Sequence, residues 1–347
     1  MEIIPQSTSS PAPSRPLIWR LLESYCKDHD LALNAADALG HAGWIETSQG
    51  RRSFFSGASF DLNPLGAAQI ARDKAHTLEV LARAGLPVPA SQLLHSASAI
   101  AAMSRVHALC SDILTGPDEA LKFAERIGYP VYVKPNDGQE GHDIHRALDP
   151  QGLTACFDSL FFHHDKLLIQ EEIKGRDLRI IVLDGEILCA LERHRPSITG
   201  DGHSTVAELL KSQPDKVRMD SRLFHELAAQ NLTYCAVPEA GTTVTLLPVA
   251  NLSAGGKGGL LEDTLPPVLA DAAIACGQKL GLRYYGLDLL LESDAASETA
   301  FKILELNASP GLSQLHRQGG EAAGLALQIY TKVFDALRQD LEGPRRS

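Results

Sequence analysis

A chain of 347 residues, 44% apolar and 22% charged, has ample material for a folded core in one large domain or two to three packed subdomains. Its formal net charge of −11 argues against a general nucleic-acid or anionic-membrane surface, which needs a basic stripe, and leaves room for a local basic pocket around a small anion. Six scattered cysteines form neither a CxxC pair nor a zinc spacing, and no window approaches the roughly 18 uninterrupted apolar residues of a membrane helix, so the expectation is a cytoplasmic protein with reduced thiols.

The start, "MEIIPQSTSSPAPSRPL", lacks a basic n-region and an apolar h-region and reads as a flexible tail over 1–15. "LIWRLLESYCKDHDLALNAADALGHAG" has helical spacing and predicts a helix ending at Gly43. "RRSFFSGASFDLNPLGAAQ" is broken by Gly, Asn and Pro and predicts a loop or hairpin. "AAQIARDKAHTLEVLARAGLPVP" returns to helical period and stops at Gly85, and "DEALKFAERIGYPVYVKP" predicts a helix, a Gly-Tyr-Pro break and a short strand. Strand signals then dominate: "KLLIQEEI", "LRIIVLDGEILCALERHR" with Asp184-Gly185 as a hairpin turn, "YYGLDLLLES" and "FKILELN". Helical stretches such as "VLADAAIACGQKLG" and "GLALQIYTKVFDALRQDLE" are interspersed, which predicts α+β layers with prominent antiparallel pairing. In "GDGHSTVAELL", Thr205 and Glu208 form a capping box behind a Gly-Asp-Gly turn, and helix capping alone accounts for most of the stretch.

Four stretches carry chemistry. "YPVYVKP" runs into Lys134 and then "NDGQEG", whose Gly138 and Gly141 let backbone N–H groups approach an anion while the lysine supplies a point charge; a surface turn with a strand-blunting lysine is the bland alternative. "LLIQEEIKGRDLRIIVL" places Gln170, Glu171 and Glu172 between two apolar strands, followed by Lys174-Gly175-Arg176-Asp177-Leu178-Arg179, suited to a nucleotide base and ribose or simply to a charged loop. "YYGLDLLLE" buries Asp288 in an apolar run, and an unpaired buried carboxylate is costly. In "FKILELN", Glu305 and Asn307 are two apart and share one strand face. Together with Asp288 they make a hard-oxygen set expected for magnesium held with phosphates, whereas for each carboxylate alone an arginine or lysine partner is the simpler account.

The order "RDK..T", "YPVYVKPNDGQEG", "IQEEIKGRDLR", "ERHRPSITGDGHSTVAELL", "NLSAGG", "YGLDLLLE" and "ILELNASPG" resembles the ATP-grasp carboxylate–amine ligases over roughly residues 70–320. It is most similar to the ATP-grasp portion of cyanophycin synthetases, with looser similarity to bacterial glutathione synthetases and D-alanine–D-alanine ligases. The resemblance implies an α+β ATP-grasp fold in which two α+β subdomains grip ATP, with a small N-terminal subdomain. Its expected boundaries are 16–72 for an N-terminal substrate-side subdomain and 73–340 for the ATP-grasp domain, with a lid over about 120–175 and a catalytic subdomain over about 176–340.

Residue by residue, the resemblance implies that Lys74 and Lys134 hold ATP phosphates, that Gln170 and Glu171 fall at the adenine linker, and that Asp177 is the ribose-binding acid. It places Asp288, Glu305 and Asn307 as magnesium ligands, with manganese as a substitute, Arg179, Arg193 and Asn251 near the transferred phosphate, and Ser309 as a substrate contact. It also implies an ATP-dependent ligase joining an amino-acid or peptide carboxylate to an amine through an acyl phosphate, with release of ADP and phosphate. A catalytically silent ATP-binding module and a small-molecule kinase remain the alternatives on this fold. Partners are expected to be small amino-acid or peptide substrates, with no nucleic acid and no membrane; a homodimer would follow family habit. Two departures stand out. Asp143 in "GQEGHDI" replaces the last glycine of the family loop, and the sequence leaves no room after "NASPG" for the Mur-ligase-like module of cyanophycin synthetases, so a stand-alone ligase is expected.

Overall fold

The computed structural model describes residues 15–138, 143–212, 217, 219–250, 256–261, 263–292 and 300–343. The chain divides into two units, Met1–Leu62 with Ser309–Ser347, and Asn63–Ala308. The residues that follow "LNA" thus group with the N-terminal segment, and the first division falls after 62 where sequence reading drew it after 72.

In the first unit, helix α1 (Leu17–Asp28) buries Ile18, Trp19, Leu22, Tyr25 and Cys26, the recurrence of one helical face. The helix expected to reach Gly43 stops at Asp28, because Asp30 takes a left-handed φ of 53° and the next apolar residues, Leu31 and Leu33, alternate as a strand does. Strands β1 (Ala32–Ala35), β2 (Ala42–Glu46), β3 (Arg52–Ser56) and β4 (Ser59–Phe60) make an antiparallel meander, with Gly43 inside β2. Two C-terminal helices, α11 (Ser313–Arg317) and α12 (Gly320–Glu342), complete the unit; the Phe334 ring of α12 meets Tyr25 at 5.4 Å and Phe60 at 5.9 Å between centroids.

The second unit holds two larger antiparallel sheets and a two-stranded one. Strands β5 (Ser91–His95), β6 (Val131–Pro135), β7 (His145–Ala147) and β8 (Lys166–Glu171) pair in the order β5-β8-β6-β7. Helices α4 (Ala97–Val106), α5 (Cys110–Ile113), α6 (Pro117–Ile127) and α7 (Pro150–Leu160) accompany them, and Phe123 and Ala124 of α6 with Leu153 and Phe157 of α7 close a core over Leu94, Val131, Val133 and Ile169. Strands β9 (Gly175–Leu183), β10 (Glu186–His194), β13 (Lys257–Leu260), β14 (Tyr284–Glu292) and β15 (Phe301–Asn307) form the other sheet in the order β13-β10-β9-β14-β15. Its inner face packs on α2 (Leu65–Arg72), α3 (Lys74–Arg83) and α10 (Pro267–Leu280). Strands β11 (Ser197–Thr199) and β12 (Thr243–Thr245), with α8 (Val206–Lys211) and α9 (Ser221–Ala229), enclose a small core of Ile198, Val206, Leu223, Leu227 and Val244. Asp184 and Gly185 make the β9–β10 turn with φ of 49° and 81°, and the Thr205–Glu208 capping box starts α8.

Two local irregularities set up the polar face of the larger sheet. The single helix expected before Gly85 is broken at Asp73, whose carboxylate caps the His76 N–H and leaves Lys74 as the first residue of α3. On β15 the core residues are Phe301, Ile303 and then Leu306; a register shift against Asp288–Leu289 changes the phase of the alternation, so Glu305 and Asn307 face away from the core that Ile303 enters.

Gly277 of α10 lies against Tyr285, where a Cβ would come within 2.4 Å of the ring, and the Tyr285 hydroxyl donates to Ala273 O at 2.7 Å. Gly to Ala inside a helix ordinarily gains about 1 kcal/mol. Here the sign should reverse, and Gly277→Ala should lower stability by about 1–3 kcal/mol through overpacking in urea unfolding; a raised midpoint would refute this packing.

Candidate active site

The outer face of the larger sheet is a row of charges. Arg179 on β9 stands opposite Asp288 on β14, which stands opposite Glu305 on β15. Arg179 grips Asp288 with both prongs of its guanidinium, Nε to Oδ1 and Nη2 to Oδ2, each at 2.6 Å. Arg193 on β10 donates Nε and Nη2 to Asp177 Oδ1 at 2.9 and 2.6 Å and brings Nη1 to 3.1 Å from Asp288 Oδ2. Asp288, 2% exposed, is thus the carboxylate between two arginines, and Asp177 holds one of them from behind.

The lysines come from the smaller sheet and from α3. Lys134, buried on β6, donates to Gln170 Oε1 on β8 at 2.9 Å. Lys74, also buried, donates to Gly138 O at 2.5 Å, lies 3.8 Å from Glu305 Oε2, and its helix is fastened to the following turn by Ala75 N–H to Asn136 Oδ1 at 2.9 Å. Among the described residues, Gln170 Nε2 and Asn136 Nδ2 are buried donors with no acceptor. Buried polar groups are seldom left so unless a ligand or water completes them.

These contacts set the ionisation of the cluster. Burial pushes the Lys134 ammonium down to about 8, and Lys74 adds to the effect, while Glu305 and Asp288 oppose it. Burial pushes the Asp177 carboxyl up to about 6 in spite of Arg193. For Asp288 burial works the same way, but Arg179 and Arg193 outweigh it and hold that carboxyl well below the usual carboxylate range. The cations Lys74, Lys134, Arg179 and Arg193 exceed the carboxylates Asp177, Asp288 and Glu305 by one, and a buried excess of positive charge calls for an anion. Burial also pushes the Cys189 thiol up to about 12, which leaves it protonated and no nucleophile.

Most of the residues picked out in the sequence are gathered here, though several are engaged differently from the expectation. Asp177 is bound to Arg193, Glu171 accepts the Ala90 N–H at 2.7 Å, and Gly138 contributes its carbonyl to Lys74. Gly141 and Asn251 lie outside the described residues, and Ser309 begins the C-terminal segment of the other unit. Asp143 has a left-handed φ of 55° and turns its carboxylate to His164 Nε2 at 2.9 Å. Asn136 and Asp73 were not anticipated; "KPND" and the helix-internal Asp were their only sequence signals. No group of three or more His, Cys, Asp or Glu side chains placed to hold a metal ion by themselves occurs among the described residues. Asp288, Glu305 and Asn307 are therefore two carboxylates and an amide, a hard-oxygen set that fits a divalent cation sharing its shell with phosphates rather than a closed cage.

Comparison with known proteins agrees with the geometry. Residues 71–207 match the model of the RimK-like ATP-grasp domain. A cyanophycin synthetase from a Nostoc species is 28% identical over 287 residues, covering 78% of this chain and 29% of that protein. A glutathione biosynthesis bifunctional protein from Desulfotalea psychrophila is 26% identical over 64% of this chain and 31% of its own length. The chain spans about three tenths of the length of these curated relatives. Among solved structures, a bifunctional glutathione synthetase from Pasteurella multocida superposes with a TM-score of 0.53 at 17% identity, over 92% of this chain and 44% of that one. A D-alanine–D-alanine ligase from Bacillus anthracis gives 0.50 at 17% identity, over 81% and 72%.

A polyanion at Lys134 restores the solvation that burial removes and raises its pKa. ATP binding should therefore take up protons near pH 8 and weaken as pH rises beyond it. Calorimetry in buffers of different ionisation enthalpy reads this directly; uptake undiminished in Lys134→Met would assign it elsewhere.

Proposed function

We propose, from the match of residues 71–207 to the RimK-like ATP-grasp domain and the fold shared with solved ligases, that the chain is an ATP-dependent ligase. It joins the carboxylate of an amino acid or short peptide to an amine and releases ADP and phosphate. The observation that carries this reading is the buried cationic cluster of Lys74, Lys134, Arg179 and Arg193, set beside the hard oxygens of Asp288, Glu305 and Asn307 and the two orphaned donors on Gln170 and Asn136.

The substrate carboxylate oxygen attacks the terminal phosphorus of ATP, and the bond to ADP breaks. The amine then attacks the acyl carbon, loses a proton, and phosphate departs. Lys134, Lys74 and Arg193 neutralise charge on the phosphoryl oxygens and hold them in line, which is most of what a phosphoryl-transfer site supplies. Magnesium, held by Glu305, Asn307 and Asp288, would add electrophilic polarisation of the phosphates. No side-chain nucleophile is needed, in keeping with the protonated state of Cys189. The relatives named for cyanophycin and glutathione synthesis support amino-acid or peptide substrates. A cytoplasmic setting fits the six free cysteines and belongs to the same reading.

Incubation with magnesium–ATP and pools of amino acids and short peptides should release ADP and phosphate in step with a product one water lighter than its summed substrates. AMP and pyrophosphate would overturn the mechanism. Glu305→Gln, which removes one ligand charge at constant size, should lower turnover by at least about a hundredfold with the fold intact; near-normal activity would remove Glu305 from the site.

A further inference from the structure

Asp288 is asked to do two things. In the free chain both its oxygens are taken by Arg179 and one is shared with Arg193, whereas the proposed ligase needs those oxygens for a divalent cation. The two arginines are not equally placed to give way. Arg193 has a second carboxylate, Asp177, bound through two of its nitrogens, and its side chain is 9% exposed. Arg179 is paired through its guanidinium with Asp288, and its side chain is 21% exposed. Removal of Asp288 from the pair leaves Arg193 neutralised and Arg179 without a counter-ion, facing an added positive charge.

We propose that Arg179 is a cation-gated phosphate ligand: it guards Asp288 in the free chain, is released when a divalent cation takes that carboxylate, and swings to the phosphates that arrive with the cation. This rests on the ligase reading above. The neighbouring register favours the movement. Arg179 sits between Leu191 of β10 and Asp288 of β14 on the sheet's outer face, two residues from Asp177 on the same strand, so it changes partner without breaking a backbone ladder. The exchange has a functional consequence. Cation alone must compete with a bidentate charge-assisted pair, while cation with nucleotide gives Arg179 a new anion, so the two ligands bind cooperatively. The exchange also keeps an uncompensated carboxylate from standing open in the free protein.

Mn2+ binding to the intact chain, followed by the loss of its free electron-paramagnetic signal, tests this without turnover. Arg179→Gln should bind Mn2+ alone roughly tenfold more tightly than the natural chain, because the competitor is gone. Arg176→Gln, which deletes the same charge from the same strand at a residue paired with Glu192, should leave Mn2+ affinity unchanged. Arg179→Lys, which keeps the charge without the fork, should fall between and guards against a misfolded glutamine variant. The tightening of Mn2+ by a non-hydrolysable ATP analogue should shrink in Arg179→Gln. If Arg179→Gln binds Mn2+ no better than the natural chain while Asp288→Asn abolishes binding, the exchange is wrong and the metal site stands. If the natural chain binds no Mn2+ even with the analogue, the ligase reading itself falls.

Discussion

A carboxylate buried on an inner strand of an antiparallel sheet is the constraint around which the second unit is organised. Asp288 follows Leu287 and precedes Leu289, both core residues, and it is too deep to be solvated by water. An unpaired charge there would cost several kcal/mol, and removal of one partner from a buried pair typically costs about 3–5 kcal/mol. Two arginines from two neighbouring strands meet that demand, and the second needs Asp177 to be fixed in turn. The register of three strands is thereby tied to the electrostatics of one side chain, since a slip of one residue would turn Arg179 into the helix-packed core.

The two larger sheets of this unit serve different halves of one task. The smaller sheet supplies Lys134 and Gln170 on a rigid pair of strands, and the larger supplies the carboxylates and arginines. Lys74 joins them: its backbone N–H is bound to Asn136 O at 3.2 Å, its ammonium reaches Gly138 O, and it approaches Glu305 on the far strand. A helix start imposed by Asp73 is what lets that lysine point into the cluster rather than along a continuous helix. The lowered ionisation of Lys134 reports the same crowding of cations in a dry place.

Much of this was legible in the sequence, and the illegible part has physical causes. The period-2 rule put Glu305 and Asn307 on one face, and apolar runs gave β9, β10, β14 and β15 nearly at their observed limits. Yet the same rule applied back to Ile303 would have sent Glu305 into the core; the bulge that prevents this leaves no local signature. Arginine partners for Asp288 were weighed only as a class, because identifying Arg179 and Arg193 requires the strand register. Short strands such as β5 and β7 carry too few residues for a period, and the helix drawn to Gly43 shows how a helical window absorbs a four-residue strand. Gln170 read as a linker residue, while its oxygen is bound to Lys134 two strand positions away on the neighbouring strand, a diagonal contact that only pairing reveals.

The first unit is assembled from both ends of the chain, its meander and α1 from residues before 63 and α12 from residues after 308. During synthesis the Asn63–Ala308 stretch can leave the ribosome and form its sheets while the rings of Tyr25 and Phe60 still lack Phe334. The N-terminal meander must therefore wait, half-covered, until the whole Asn63–Ala308 stretch has been made. Its completion is the step with the longest loop to close. That stretch of exposed aromatic surface is where a chaperone would have the most to do, and where truncation of α12 would harm a segment made nearly three hundred residues earlier.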